Sequence, residues 1–244
     1  MSEIKLQNYL ARPRTPVPAH KIYTPVFLFD SKGYGLQSQV DHNHSIERQI
    51  VWWNQSGATI EDQYNWLKSN LAAQLIQLGN IHLLVWLGTC NLTTKTGNFI
   101  FITKRDDSEA ANVIKYIDLI VNLIKTHHGS IVTILELPEY TITTHNRYKN
   151  HLNPDSCKND DKLLHEQIFR LNGYIRQVNS NLNTKSPEFT SDLRTKRTFR
   201  RRYRIITQHY SNFLLYSGGI HPKNLLAQYW LRKLSEFITT TCWI

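Results

Sequence analysis

Four short apolar runs, Val26-Phe27-Leu28-Phe29, Ile50-Val51-Trp52-Trp53, Ile81 to Leu87 and Ile131 to Leu137, alternate with long amphipathic stretches, and this alternation most restricts the folds open to the chain. Each run is continuously apolar rather than alternating, the pattern of a strand covered on both faces. Between and after them the period becomes helical. Thr59 to Leu78 carries Ile60, Tyr64, Leu67, Leu71 and Leu75 at three- or four-residue spacing, with Thr59 and Asp62 as capping residues and Gly79 as the stop. Ser108 to Thr126, Lys162 to Leu182 and Lys223 to Ile238 repeat the pattern. Strands joined by helices of this length form crossovers, and crossovers give a mostly parallel sheet with helices on both faces.

At 244 residues and 41% hydrophobic, the chain has apolar material for one sizeable core. Residues 1–24, punctuated by Pro13, Pro16 and Pro18, read as a basic leader, and residues 25–240 as a single domain with a basic loop at 190–206. Three cysteines without paired spacing fit a reducing compartment. No secretory segment or membrane span is legible, so a soluble intracellular protein, cytoplasmic or nuclear, is expected.

Ligands of parallel sheets collect beyond the carboxyl ends of strands. The residues there are Asp30-Ser31, Ser56-Gly57, Gly88 to Asn91 and Pro138-Glu139, while His221-Pro222 precedes the last helix. A hydroxyl, backbone donors and an imidazole converging at one sheet edge would supply nucleophile, oxyanion donors and base for acyl transfer.

This ordering resembles the SGNH (GDSL-type) hydrolase family over roughly Val26 to Leu234. Phe29-Asp30-Ser31 is similar to its Gly-Asp-Ser block, Gln55-Ser56-Gly57 to the block whose glycine donates to the oxyanion, Gly88-Thr89-Cys90-Asn91 to Gly-x-Asn-Asp, and Gly218-Gly219-Ile220-His221-Pro222 to Asp-Gly-x-His-Pro. The resemblance implies an α/β three-layer sandwich, flavodoxin-like, with a mostly parallel sheet of about five strands. It implies Ser31 as nucleophile, His221 as base, and an oxyanion hole from Gly57 with Cys90 or, after a one-residue shift, Asn91.

Two departures bear on activity. Cys90 stands where the family has the oxyanion-hole asparagine, and Gly218 where it has the aspartate that orients the histidine. One lost oxyanion donor costs about a hundred- to a thousandfold in rate, and a lost triad carboxylate on the order of ten thousandfold. Two readings stay open: a serine esterase or deacetylase acting on an acyl ester or acetylated substrate through a Ser31–His221 dyad, or an inactive module that binds nucleic acid or an acidic partner. SGNH-like domains also occur in proteins of viruses and mobile elements, a setting that eroded motifs beside a dense basic run would fit. Asp30, adjacent to Ser31, points to the other face and does not replace the missing aspartate; Glu136 and Glu139 are better placed in principle.

The net charge of +10 is concentrated. Arg194, Lys196, Arg197, Arg200, Arg201, Arg202 and Arg204 fall in one short window, with Phe199 and Tyr203 interleaved. Such a window could neutralise phosphates and stack on the bases of a single-stranded nucleic acid, or be a solvated basic loop. His42 and His44, His127-His128, and His151, Cys157 and His165 lack metal-ligand spacing, so no metal is expected. Without a Gly-x-Gly-x-x-Gly or phosphate-loop pattern, no cofactor is expected either.

Overall fold

The computed structural model describes residues 2–202 and 204–244, excepting the side chains of Arg197, Phe199, Arg201, Arg204, Ile206, Gln208 and His209. In chain order its elements are α1 (Glu3–Leu10), β1 (Thr24–Phe29), α2 (Gly33–Gln37), β2 (Val51–Asn54), α3 (Ile60–Leu78), β3 (Ile81–Trp86), α4 (Thr89–Leu92), β4 (Thr93–Thr96), β5 (Phe99–Ile102) and α5 (Ser108–Lys125). There follow β6 (Ile131–Ile134), α6 (Ile142–Tyr148), α7 (Lys158–Asn181), α8 (Phe189–Leu193), β7 (Arg194–Arg201), β8 (Arg204–Ser211), β9 (Tyr216–Ser217), β10 (His221–Pro222) and α9 (Asn224–Cys242).

The four apolar runs form one parallel sheet in the order β2-β1-β3-β6. Its residues alternate between two covered faces. Phe27 and Phe29 pack on Trp52, Phe27 also on Trp86, and Trp86 on Trp230 of α9. The neighbouring Trp53 turns the other way, onto Trp66 of α3. Helices α3, α5 and α7 pack in sequence beside one another, whereas α9 packs on β1 and carries α1 and α2. The helix starts follow the sequence: Thr59 and Asp62 form a reciprocal capping box on α3.

The sheet has four strands where about five are expected, and the outer edge of β6 shows why. Asn179 of α7 accepts from Ile134 N–H (3.0 Å) and donates to Ile134 C=O (2.6 Å), as a neighbouring strand would. Asn172 does the same for Leu137 just beyond β6, at 2.8 Å in both directions, and Ser186 accepts from Glu136 N–H. Side-chain amides thus close an edge that would otherwise hold unpaired backbone groups in the core. The apolar run at Phe213 to Tyr216 makes instead a 3₁₀ turn and the short β9, which pairs with β10.

Two other expectations are corrected. Within the stretch read as a leader, Glu3–Leu10 is helical, with Leu6 fully buried against the core. Its prolines begin only at Pro13, so they terminate the helix rather than prevent it. The stretch read as a loop at 190–206 is α8 followed by the antiparallel ribbon β7–β8, whose strands are joined between Arg201 and Arg204. Its threonines and isoleucines suit a strand, and Arg202 takes the positive φ (54°) of a tight turn. Among the described residues, no helix is long and apolar enough to cross a membrane.

Asn179→Ala should leave Ile134 N–H and C=O unpaired in the core, at a loss of about 2–4 kcal/mol. Urea unfolding reads this as a lower midpoint at unchanged slope; a midpoint equal to wild type would show that the amide does not close the edge.

Candidate active site

At the end of β1, Asp30 is fully buried and its Oδ1 accepts the N–H of Lys32 at 3.0 Å, while Gly33 N–H donates to Asp30 C=O at 3.1 Å. This tight turn puts Ser31 at its outer corner. Gly33 is obligatory, because a Cβ there would fall 1.9 Å from the ring of Phe29. Two residues on, a Cβ at Gly35 would meet Pro222 Cγ at 3.3 Å, so the Ser31 turn and the His221-Pro222 strand are packed neighbours. The β9–β10 pairing in turn sets His221 opposite Ser217.

Ser31, Gly57, Cys90 and His221 all line one cavity of about 700 Å³. Asn91 does not. It is buried at the start of α3, where its Oδ1 accepts Ile60 N–H at 3.0 Å. The amide of Asn91 is therefore turned away from the cavity, and Cys90 is the one of the two that lines it. Burial, with Asp30 next in effect, pushes the Cys90 thiol up to about 12. It is a protonated, weakly donating S–H rather than a thiolate nucleophile.

Among the described residues, His221 has no hydrogen-bond partner for either ring nitrogen, and Ser31 Oγ is not bonded to it. Glu136 pairs with Arg176 at 2.8 Å, and Glu139 bonds Ser211 and lies near Arg194, so neither carboxylate orients the imidazole. At Gly218 (φ +57°) a Cβ would approach the Tyr148 ring to 2.9 Å. A side chain at position 218 would therefore crowd this exposed ring. Burial first, then the charges of Lys32, His145 and Lys149, lower the His221 pKa to about 4.

Several residues of the cavity were not anticipated from sequence. Its far wall comes from β4–β5 and α6, through Thr94, Lys95, Asn98, His145, Tyr148 and Lys149. Asn146 fixes these elements to each other, accepting from Ile100 N–H and donating to Ile100 C=O, both at 2.9 Å. Phe99-Ile100-Phe101-Ile102 after Gly97-Asn98 is a readable hairpin signal; nothing comparable announces α6, whose Thr141-Ile142-Thr143-Thr144 start is poor in helix formers. Lys32, next to Ser31, is fully buried, with Nζ 4.1 Å from the centre of the Tyr140 ring and no hydrogen-bond partner. Burial lowers its pKa to about 8.

Among the described residues, none of the basic window 194–204 lines this cavity. Arg194, Lys196 and Arg200 occupy alternate, exposed positions of β7, and Arg202 is exposed at the turn. The side chains of Arg197, Arg201 and Arg204, and Tyr203 as a whole, lie outside the described residues. The base of the ribbon is fixed through Asp192, which is buried and bonded to Lys233 (2.9 Å) and Trp230 Nε1 (3.1 Å) of α9.

No protein-family model and no curated protein matches the sequence. Solved structures do match the fold. A candidate acylhydrolase from Bacteroides fragilis superposes with a TM-score of 0.59 at 14% identity, covering 97% of this chain and 94% of that one. A GDSL-like lipase from Bacteroides thetaiotaomicron gives 0.56 at 12% identity, covering 96% and 95%. A lipase/acylhydrolase from Enterococcus faecalis gives 0.53 at 13% identity, covering 89% and 96%. With the parallel sheet and the order of its strand-end turns, these similarities show that the chain has the SGNH (GDSL-type) hydrolase-like fold.

Proposed function

We propose that the protein is a serine esterase or deacetylase that hydrolyses acyl esters through a Ser31–His221 dyad. The observation that carries this reading is the shared cavity: Ser31 and His221, far apart in sequence, line it together with Gly57 and Cys90. Ser31 Oγ attacks the ester carbonyl as its proton passes to His221. The carbonyl–oxygen bond to the alcohol breaks, and His221 returns the proton to the leaving alkoxide. Water then attacks the acyl-Ser31 ester, again through His221, and Ser31 regains its proton as the carboxylic acid leaves. The N–H groups of Ser31 and Gly57 receive the oxyanion, with Cys90 S–H as a weak third donor.

A Cys90→Asn substitution should supply a full amide donor and raise kcat on 4-nitrophenyl acetate by about tenfold or more. Ser31→Ala should abolish both this activity and labelling by a fluorophosphonate. Failure of the wild type to label or turn over at any pH would remove the esterase reading.

The pH dependence follows from His221. A pKa lowered to about 4 leaves the imidazole neutral, and competent as a base, at every pH above that value. The acid limb of kcat/KM is therefore expected near pH 4, well below the usual histidine value of about 6.5. Lys32→Met removes one of the charges that depress it and should move the limb upward. A wild-type limb at ordinary histidine values would exclude His221, in this environment, as the base.

A second reading has its own observation, the exposed basic face of β7. We infer that the ribbon binds single-stranded nucleic acid through phosphate contacts, independently of the cavity. For Lys196→Ala/Arg200→Ala, the slope of log affinity against log salt should shrink by about 1.4; an unchanged slope with an oligothymidine probe would dismiss the ribbon.

A further inference from the structure

The charged groups on the cavity lining are Lys95 and Lys149, both exposed. His145, His221, Tyr148 and Cys90 complete its ionisable lining, and among the described residues no carboxylate lines it. Two carboxylates bear on it from outside. Asp30 is fully buried in the turn beneath Ser31, and Asp62 is tied to Thr59 in the capping box, accepting from its N–H at 2.9 Å and its Oγ1 at 2.7 Å. Among the described residues, Lys95 and Lys149 form no ion pair; Lys149 Nζ only faces the Tyr148 ring, at 5.3 Å.

Next to Ser31 but off the lining, the ammonium of Lys32 is buried over the Tyr140 ring without a hydrogen-bond acceptor, with Asp30 as its opposing charge. The rest of the lining is rich in hydroxyls, from Ser56, Thr59, Thr89, Thr93, Thr94 and Ser217. His145 is held as a donor toward Gly218 C=O, at 3.2 Å from Nδ1. Lysines and hydroxyls lining a cavity whose wall holds no carboxylate among the described residues suit an oxyanion. The same wall repels a cationic substrate and gives a neutral one no charge to meet.

We propose that the cavity selects esters carrying a carboxylate or a similar oxyanion, held by Lys95 and Lys149 while Ser31 attacks the ester. This rests on the hydrolase reading above, and deepens it by naming the substrate class. An anion so placed also relieves the like-charge crowding around His145 and His221, so binding and proton acceptance reinforce each other.

The test uses a series of one shape. 4-Acetoxybenzoate and 4-acetoxybenzenesulfonate carry the anion, methyl 4-acetoxybenzoate is neutral, and 4-acetoxyphenyl-trimethylammonium is cationic. The expected result is a kcat/KM about tenfold higher for the anions than for the neutral ester, with the cation slowest. Lys95→Gln/Lys149→Gln should collapse that ratio to near one, whereas Lys95→Arg/Lys149→Arg, with both charges retained, should keep it. Equal kcat/KM across the series overturns the anion preference and leaves the hydrolase reading standing. If no ester is turned over, the hydrolase reading fails by itself, and calorimetry decides the remainder. Tighter, salt-sensitive binding of 4-hydroxybenzoate than of its methyl ester, lost in the double glutamine variant, supports the receptor; equal or absent binding of the two overturns it.

Discussion

A parallel sheet buried on both faces must still end somewhere, and the way this one ends governs the rest of the molecule. At β6 the unpaired edge is met by Asn172 and Asn179, each presenting an amide whose donor and acceptor match one backbone residue. A fifth strand is unnecessary once those groups are satisfied. The long helix that carries the asparagines is therefore fixed in register against β6, and with it the layer that it forms beside α5 and α3. The carboxyl ends of β1, β2 and β3 then open on the same rim, which is why turns distant in sequence share a cavity.

Electrostatics at that rim run opposite to those of a serine–histidine–aspartate site. There a carboxylate favours the imidazolium formed during proton transfer. Here burial and three neighbouring cationic or imidazole groups disfavour it, holding the His221 pKa at about 4. Relative to an ordinary histidine, this amounts to roughly 3 kcal/mol against the protonated ring. Such an imidazole is neutral at pH 7 but a weak base, and in the proposed mechanism an anionic group in the cavity supplies the compensating charge that the described lining lacks.

The sheet and its four long crossover or covering helices were legible because apolar runs and three- to four-residue periodicities are dictated by burial, which leaves a mark on every turn of sequence. That Ser31, Gly57, Cys90 and His221 share one rim was legible because each sits at a strand end or before a helix. The far wall was not. Lys95, His145 and Lys149 belong to a short hairpin and a short helix that non-local contacts hold in place, among them Asn146 against Ile100 and Asp161 at the start of α6. Periodicity says nothing about such a contact. Asn91 shows the same limit at one residue: a sequence cannot distinguish an amide facing a cavity from one spent on the N-terminus of a neighbouring helix. The helix Glu3–Leu10 was hidden by the prolines that follow it, since its stability comes from burial of Leu6 rather than from local signals.

An aspartate introduced at position 218 would not simply supply an orienting carboxylate. Gly218 takes a left-handed backbone conformation that few side chains tolerate, the Tyr148 ring occupies the space its Cβ would need, and its carbonyl is engaged by His145. Gly219 has positive φ as well, and a Cβ there would meet Thr144 at 2.9 Å. The turn before His221 is thus shaped around α6, the same helix that brings His145 and Lys149 to the cavity. The helix that brings His145 to the cavity, with Lys149 at its end, thus also crowds position 218, where the resemblance would put an orienting carboxylate.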